Sequence, residues 1–267
     1  MSEDEKQPRR RGIYLLPNLL TTIALFFGFY AIVAASHGAF ESAAGAIFIA
    51  MIMDGLDGRV ARLTNTQSDF GVQYDSIADM VSFGLAPALV VYHWALADLA
   101  EVAPTLGKMG WIAAFAYAAC AGLRLARFNT QAGSADKRYF QGLPSPSAAA
   151  VVAGLVWSGA DWNFGGVSVG YVALVLTLAA GLLMVSNVRY YSFKEFDFRY
   201  RVPFIAMVVL VLLLAFAAID PPRVLFAAAL IYLCTGPALT VRQRRKRKAA
   251  RGGGESERVA GEERDTR

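Results

Sequence analysis

This sequence predicts an all-α, polytopic membrane helix bundle, and three observations carry the prediction. Of its 267 residues, 56% are hydrophobic. The mean hydropathy of +0.41 is too high for an ordinary soluble domain. Apolar runs repeatedly reach the length needed to span a hydrocarbon core of about 30 Å, and basic residues fall in alternate loops between them.

Residues 1–12 are polar, mixed in charge and end in Arg9, Arg10 and Arg11, which reads as a disordered tail stopping at the membrane surface. The run Leu15–Ala35 exceeds the 7–15 apolar residues typical of a secretory leader and is expected to be the first transmembrane helix. Pro17 suits its first turn, and Thr21 and Thr22 are expected only to cap or back-bond there. A second helix is expected over Phe40–Leu63 and a third over Asp75–Ala97. An acidic loop, Asp98–Lys108, then leads to a fourth helix over Met109–Arg127. The Gly- and Pro-rich stretch up to Pro146, which holds Lys137 and Arg138, marks a defined turn. Four further runs follow at Ser147–Ala160, Val167–Ser186, Val202–Ile219 and Val224–Val241. The first of these is short enough to be tilted or partly re-entrant. The total is about eight spans in a transmembrane domain over residues 13–241. Cys120 and Cys234 lie inside apolar runs and read as packing residues.

Charge sets the orientation. The Arg9–Arg11 tail, Arg59 and Arg62, Arg124–Arg138, Arg189–Arg201 and the run Arg242–Lys248 all fall on one side. The opposite loops hold only Lys108 and Arg223. By the positive-inside rule both termini face the cytoplasm. Despite a pI near 9.3, the juxtamembrane position of Arg242–Lys248 points to anionic lipid rather than nucleic acid. The tail over 242–267 has the composition of disorder.

The chemistry is concentrated between Met51 and Ala88. Asp54 and Asp57 are i and i+3 on one helix, and Asp75 and Asp79 are i and i+4 on the next, so each pair projects from one face. Asp54 and Asp57 would lie roughly 21 and 25 Å along a helix crossing a core of about 30 Å, near the cytoplasmic headgroups. Carboxylates there are costly without positive partners. Hard oxygen donors suit Mg²⁺ or Mn²⁺, and four of them suggest a two-metal site. Gly58 and Gly71 are expected to flank the interhelical turn and let a phosphate approach, with Arg62 adding a planar donor fork. The third helix is expected to start at Asp75, where its dipole favours negative charge. His93 would lie roughly 21 Å from Asp79, too far for the same chemistry.

The pattern Asp54-x-x-Asp57-Gly58-x-x-Ala61-Arg62, then eight residues, then Gly71-x-x-x-Asp75-x-x-x-Asp79, resembles the signature of the CDP-alcohol phosphatidyltransferases. The resemblance covers about residues 15–194 and implies a six-helix core, with the helices over 202–241 as additions. It implies transfer of a phosphatidyl group from a CDP-lipid to an alcohol, with release of CMP. Asp54, Asp57, Asp75 and Asp79 would hold two Mg²⁺ or Mn²⁺ ions, with Asp79 also the general base. Asn18, Gly58, Ala61, Arg62 and Gly71 would bind the CDP-lipid. The segments LPNLLTT, LRLARFNT, GLPSPSAA and Tyr191-Ser192-Phe193-Lys194 are similar to the serine-using branch of the family. This implies CDP-diacylglycerol and L-serine as substrates, and a homodimer in a bacterial inner membrane.

Arg124, Arg127, Phe128 and Asn129 are then candidates for acceptor binding, because arginine can grip a carboxylate with two donors. In isolation, Arg124 and Arg127 at a helix end read first as an interfacial anchor that complements the helix dipole. Glycerol 3-phosphate or inositol are alternative acceptors on the same fold. A divalent-metal transporter is a different class, but its polar groups should continue across the bilayer, and these cluster near one face.

Overall fold

The structure is a computed structural model, and it describes residues 15–64, 66, 68–131, 139–162, 164, 167–191 and 218–240. Helices dominate: α1 Leu15–Ser36, α2 Phe40–Leu63, α3 Asp69–Asp79, α4 Ala86–Val91, α5 Leu99–Val102, α6 Pro104–Gln131, α7 Ser145–Asp161 and α8 Val167–Val185, then α9 Pro221–Thr240. Among the described residues, five stretches are long and apolar enough to cross a membrane: Leu16–Ser36, Asp69–Val102, Pro104–Thr130, Val167–Val185 and Pro221–Thr240. The chain is an integral membrane protein. The expected tails, the run over 202–217, Lys137, Arg138 and Ser192–Lys194 lie outside the described residues.

Small residues set the closest packing. Ala24, Ala31, Ala34 and Ala35 of α1 and Ala43, Ala44, Ala46, Ile47 and Ala50 of α2 are buried, which lets the two backbones approach as membrane helices do. The connection is tight. Gly38 takes φ 77°, and its N–H reaches the Ala35 carbonyl at 3.0 Å while the Ala39 N–H reaches that of Ala34 at 2.9 Å. These nested bonds close α1 as a glycine-terminated cap does. The buried face of α2 then continues from Ala43, Ala46 and Ala50 to Asp57, so the helical period that builds the core carries its carboxylates inward.

Helix α3 begins at Asp69, not at Asp75 as expected. Ser68 caps it, accepting a hydrogen bond from the Gly71 N–H at 3.0 Å, and Asp69 occupies the first turn, where negative charge is favoured. Asp75 and Asp79 therefore lie well inside the helix, and the dipole argument made for them belongs to Asp69. Gly58 in α2 and Gly71 in α3 stand on either side of the interhelical turn.

Beyond Asp79 the backbone widens into a π-helical turn, Met80–Leu85, and another follows α4 at Tyr92–Leu96. Such turns disturb the i to i−4 ladder, and buried groups here find other partners. The Tyr117 hydroxyl of α6 donates to the Phe83 carbonyl at 3.1 Å, and Ser82 donates to the Ala24 carbonyl of α1 at 3.1 Å. Gly28 makes that crossing possible, since a Cβ there would lie 2.7 Å from the Ser82 Cα.

Helix α6 starts at Pro104 and ends at Gln131, longer at both ends than Met109–Arg127. It absorbs part of the expected acidic loop and places Arg124 and Arg127 inside the helix. A short two-stranded antiparallel ribbon accompanies the helices: β1 Tyr139–Gln141 pairs with β2 Arg189–Tyr191, Phe140 opposite Tyr190. Gly142 then turns with φ 83°, donating to the Val188 carbonyl at 2.8 Å. This anchors the Gly-Leu-Pro-Ser-Pro turn to the end of α8 before α7 begins.

Candidate active site

Three aspartates from two helices converge. One carboxylate oxygen from each of Asp54, Asp57 and Asp75 lies within 4.8 Å of the others. Asp57 is buried, at 4% exposure. Neither Asp57 nor Asp75 has a cation within ion-pair distance among the described residues, where the ion pairs are those of Arg223 with Asp161 and Asp220. Buried like charges at this separation fit a hard cation held by oxygen donors. Asp79, one turn after Asp75 on α3, interacts electrostatically with Asp54, Asp75 and Arg124.

Thr21 is the residue that sequence reasoning undervalued. Its hydroxyl lies 3.1 Å from the Pro17 carbonyl, the expected back-bond, but it also reaches Asp57 Oδ2 at 2.6 Å. The shorter contact orients one Asp57 oxygen and leaves the other for a ligand. No local signal marks it, because a Thr in the first turn of a helix back-bonds in many settings. Thr21→Val keeps the shape and removes that donor. It is expected to lower kcat/KM about tenfold, as loss of a hydrogen bond to a charged group does. Steady-state CMP release checks it, and unchanged kinetics would show that Asp57 needs no orientation.

The residues expected to bind the CDP-lipid lie around this cluster. A Cβ on Gly71 would stand 3.4 Å from Asn18 Oδ1, so the start of α1 meets the start of α3 there. Thr22 and Tyr74 add a 2.9 Å hydrogen bond between the same helices. A Cβ on Gly58 would be 3.7 Å from an Arg62 Nη1, so that exposed arginine folds back along α2. Ala61, half-buried, accepts the Thr66 N–H at 3.1 Å where the interhelical turn begins.

The four acceptor candidates separate. Arg124 donates to Ser145 Oγ at 2.6 Å, at the start of α7, and interacts electrostatically with Asp79. Arg127 points instead to the end of α8, donating to the Val185 carbonyl at 3.0 Å. Asn129 donates to Ser76 Oγ at 3.0 Å, tying α6 to α3, and Phe128 is exposed. His37 belongs to the α1–α2 connection, at the far end of α2, with Nδ1 2.8 Å from the Val33 carbonyl. The cavities at that end, of about 540 and 580 Å³, are lined by groups such as Trp94, Phe164 and Phe226 and do not reach the aspartates.

The family model described as CDP-alcohol phosphatidyltransferase matches residues 14–185. The chain belongs to the CDP-alcohol phosphatidyltransferase family. Relatives in this family include the CDP-diacylglycerol–serine O-phosphatidyltransferase of Helicobacter pylori, 35% identical over 220 residues, 82% of this chain and 90% of the relative. The protein of the same name from Mycobacterium tuberculosis is 32% identical over 89% of this chain and 83% of its own length. That from Methanocaldococcus jannaschii is 30% identical over 85% and 94%. The family match ends at Val185, so the ribbon's second strand and α9 lie beyond it.

Proposed function

We propose that this phosphatidyltransferase transfers the phosphatidyl group of CDP-diacylglycerol to L-serine, giving phosphatidylserine and CMP. The convergence of Asp54, Asp57 and Asp75 within 4.8 Å supports the reaction class most directly. The names of the relatives support serine as the acceptor. Asp54, Asp57 and Asp75, with Asp79 beside them, would hold two Mg²⁺ or Mn²⁺ ions, which when bound neutralise the diphosphate and the departing CMP.

The chain's own groups supply the rest. Asn18, Gly58, Ala61, Arg62 and Gly71 take the CDP end while the acyl chains remain in the bilayer. The serine hydroxyl oxygen bonds to the lipid-side phosphorus, the bond from that phosphorus to the CMP oxygen breaks, and Asp79 accepts the hydroxyl proton. Arg124, which interacts electrostatically with Asp79, holds the serine carboxylate, and Arg127, Phe128 and Asn129 support that side of the site. The test is acceptor profiling: purified protein with CDP-diacylglycerol and Mn²⁺ is expected to release CMP with serine and not with glycerol 3-phosphate or inositol. Preference for either of the other alcohols would overturn the serine reading.

Orientation follows from the loop charges: the aspartates face the cytoplasm of a bacterial inner membrane. The basic run 242–248 meets anionic lipid, and family resemblance argues for a homodimer. Reporter fusions at Gly107 and Asp161 are expected to read outside, and fusions after Ala132 and Arg251 inside. An outside reading after Ala132 would put that loop on the wrong face and overturn the orientation.

A further inference from the structure

Asp75 lies between two hydrogen bonds that leave α3 on opposite sides. Successive residues of an α-helix point about 100° apart, so Tyr74 and Ser76 flank Asp75 and stand roughly 160° from each other. Each is held by a different helix. The Tyr74 hydroxyl lies 2.9 Å from that of Thr22 on α1. Thr22 directs its own proton to the Asn18 carbonyl at 2.7 Å, so Tyr74 is the donor between the two hydroxyls. Phe70, one turn earlier, stacks on the Tyr74 ring at 5.9 Å and an interplanar angle of 14°, which limits the swing of that ring. On the opposite side the Asn129 amide of α6 donates to Ser76 Oγ at 3.0 Å, and Ser76 donates to the Val72 carbonyl at 3.1 Å.

The two links act on rotation. A helix tied on one side can roll about that contact, whereas ties on opposite sides resist roll both ways and hold the residue between them in one direction. That residue is Asp75, one of whose oxygens lies within 4.8 Å of those of Asp54 and Asp57. External ties matter here because α3 has only 11 residues, and beyond Asp79 the π-helical turn Met80–Leu85 interrupts the regular ladder that would carry register from the membrane core. Thr21, next to Thr22, supplies the matching hold on α2 through Asp57 at 2.6 Å. Adjacent threonines of α1 thus meet both carboxylate-bearing helices. We propose that Tyr74 and Ser76 are positioning residues for the metal centre, setting the rotation of α3 that keeps Asp75 with Asp54 and Asp57. The inference rests on the reading of those aspartates as metal ligands.

Tyr74→Phe keeps the ring on Phe70 and removes the donor, and Ser76→Ala removes the acceptor for Asn129. Mn²⁺ binding to the purified full-length protein in detergent is read from the electron paramagnetic resonance signal of the free ion. The Mn²⁺ Kd is expected to rise about fivefold in each variant, the size of one net hydrogen bond, and more than about tenfold in the double variant. The unfolding temperature without metal should change little. Ser76→Thr, which keeps a hydroxyl, should restore the wild-type Kd. Lowered unfolding temperatures with an unchanged Kd would mark a purely structural role and overturn the proposal. So would a wild-type Kd in the double variant, or an equal loss in Ser76→Thr and Ser76→Ala. A wild-type protein that binds no Mn²⁺ would overturn the metal reading itself, and the positioning role with it.

Discussion

Replacing Asp57 with Asn is expected to lower CMP release at least about a thousandfold and to abolish metal-dependent binding of CDP-diacylglycerol. Asp57 is the most buried member of the trio, at 4% exposure, and one of its oxygens is already committed to Thr21 at 2.6 Å. Asn can still accept that hydrogen bond through its single carbonyl oxygen, so the α1–α2 contact survives. The anionic oxygen that a hard cation needs is lost. Metal stabilisation of developing charge is worth several kcal/mol, and each 1.36 kcal/mol is tenfold in rate. The unfolding temperature in detergent should change little, separating this effect from misfolding. Activity within tenfold of wild type would remove Asp57 from the metal site.

Asp79→Asn should give a different pattern. The rate is expected to fall by about 10²- to 10⁴-fold, the range for loss of a general base, while CDP-diacylglycerol still binds in a metal-dependent way. Asp79 is not one of the trio that converges within 4.8 Å; it interacts electrostatically both with Asp54 and with Arg124. This puts it between the metal side and the acceptor side, where a proton leaving the serine hydroxyl must go. His37, bonded in the α1–α2 connection at the other end of α2, cannot receive it. If Asp79→Asn and Asp54→Asn lose metal-dependent lipid binding equally, Asp79 is primarily a ligand and another group must be the base.

The sequence made the carboxylates legible because their spacing repeats the helical period. Asp57 continues the stripe of buried alanines in α2, and that stripe can be read from residue types alone. The start of α3 was misplaced because Ser68 and Asp69 sit in a polar stretch where a cap and a loop look alike. Register was lost again at Met80–Leu85, since a π-helical turn in an apolar run leaves no mark in hydropathy. Thr21 and Tyr74 were hidden for another reason. Their partners, Asp57 and Thr22, lie 36 and 52 residues away, and only tertiary packing brings them together. The separation of Arg124 from Arg127 belongs to the same class: i and i+3 share a helix face, but one meets α7 and the other the end of α8.

The most direct measurement of the central claim, that the aspartate cluster runs a metal-dependent phosphatidyl transfer, is CMP release followed in a single preparation through chelation and reconstitution. Purified wild-type protein with CDP-diacylglycerol and serine should release CMP, lose that activity after EDTA treatment, and regain it when Mn²⁺ or Mg²⁺ is restored. Serine-dependent CMP release that continues undiminished in EDTA would contradict it.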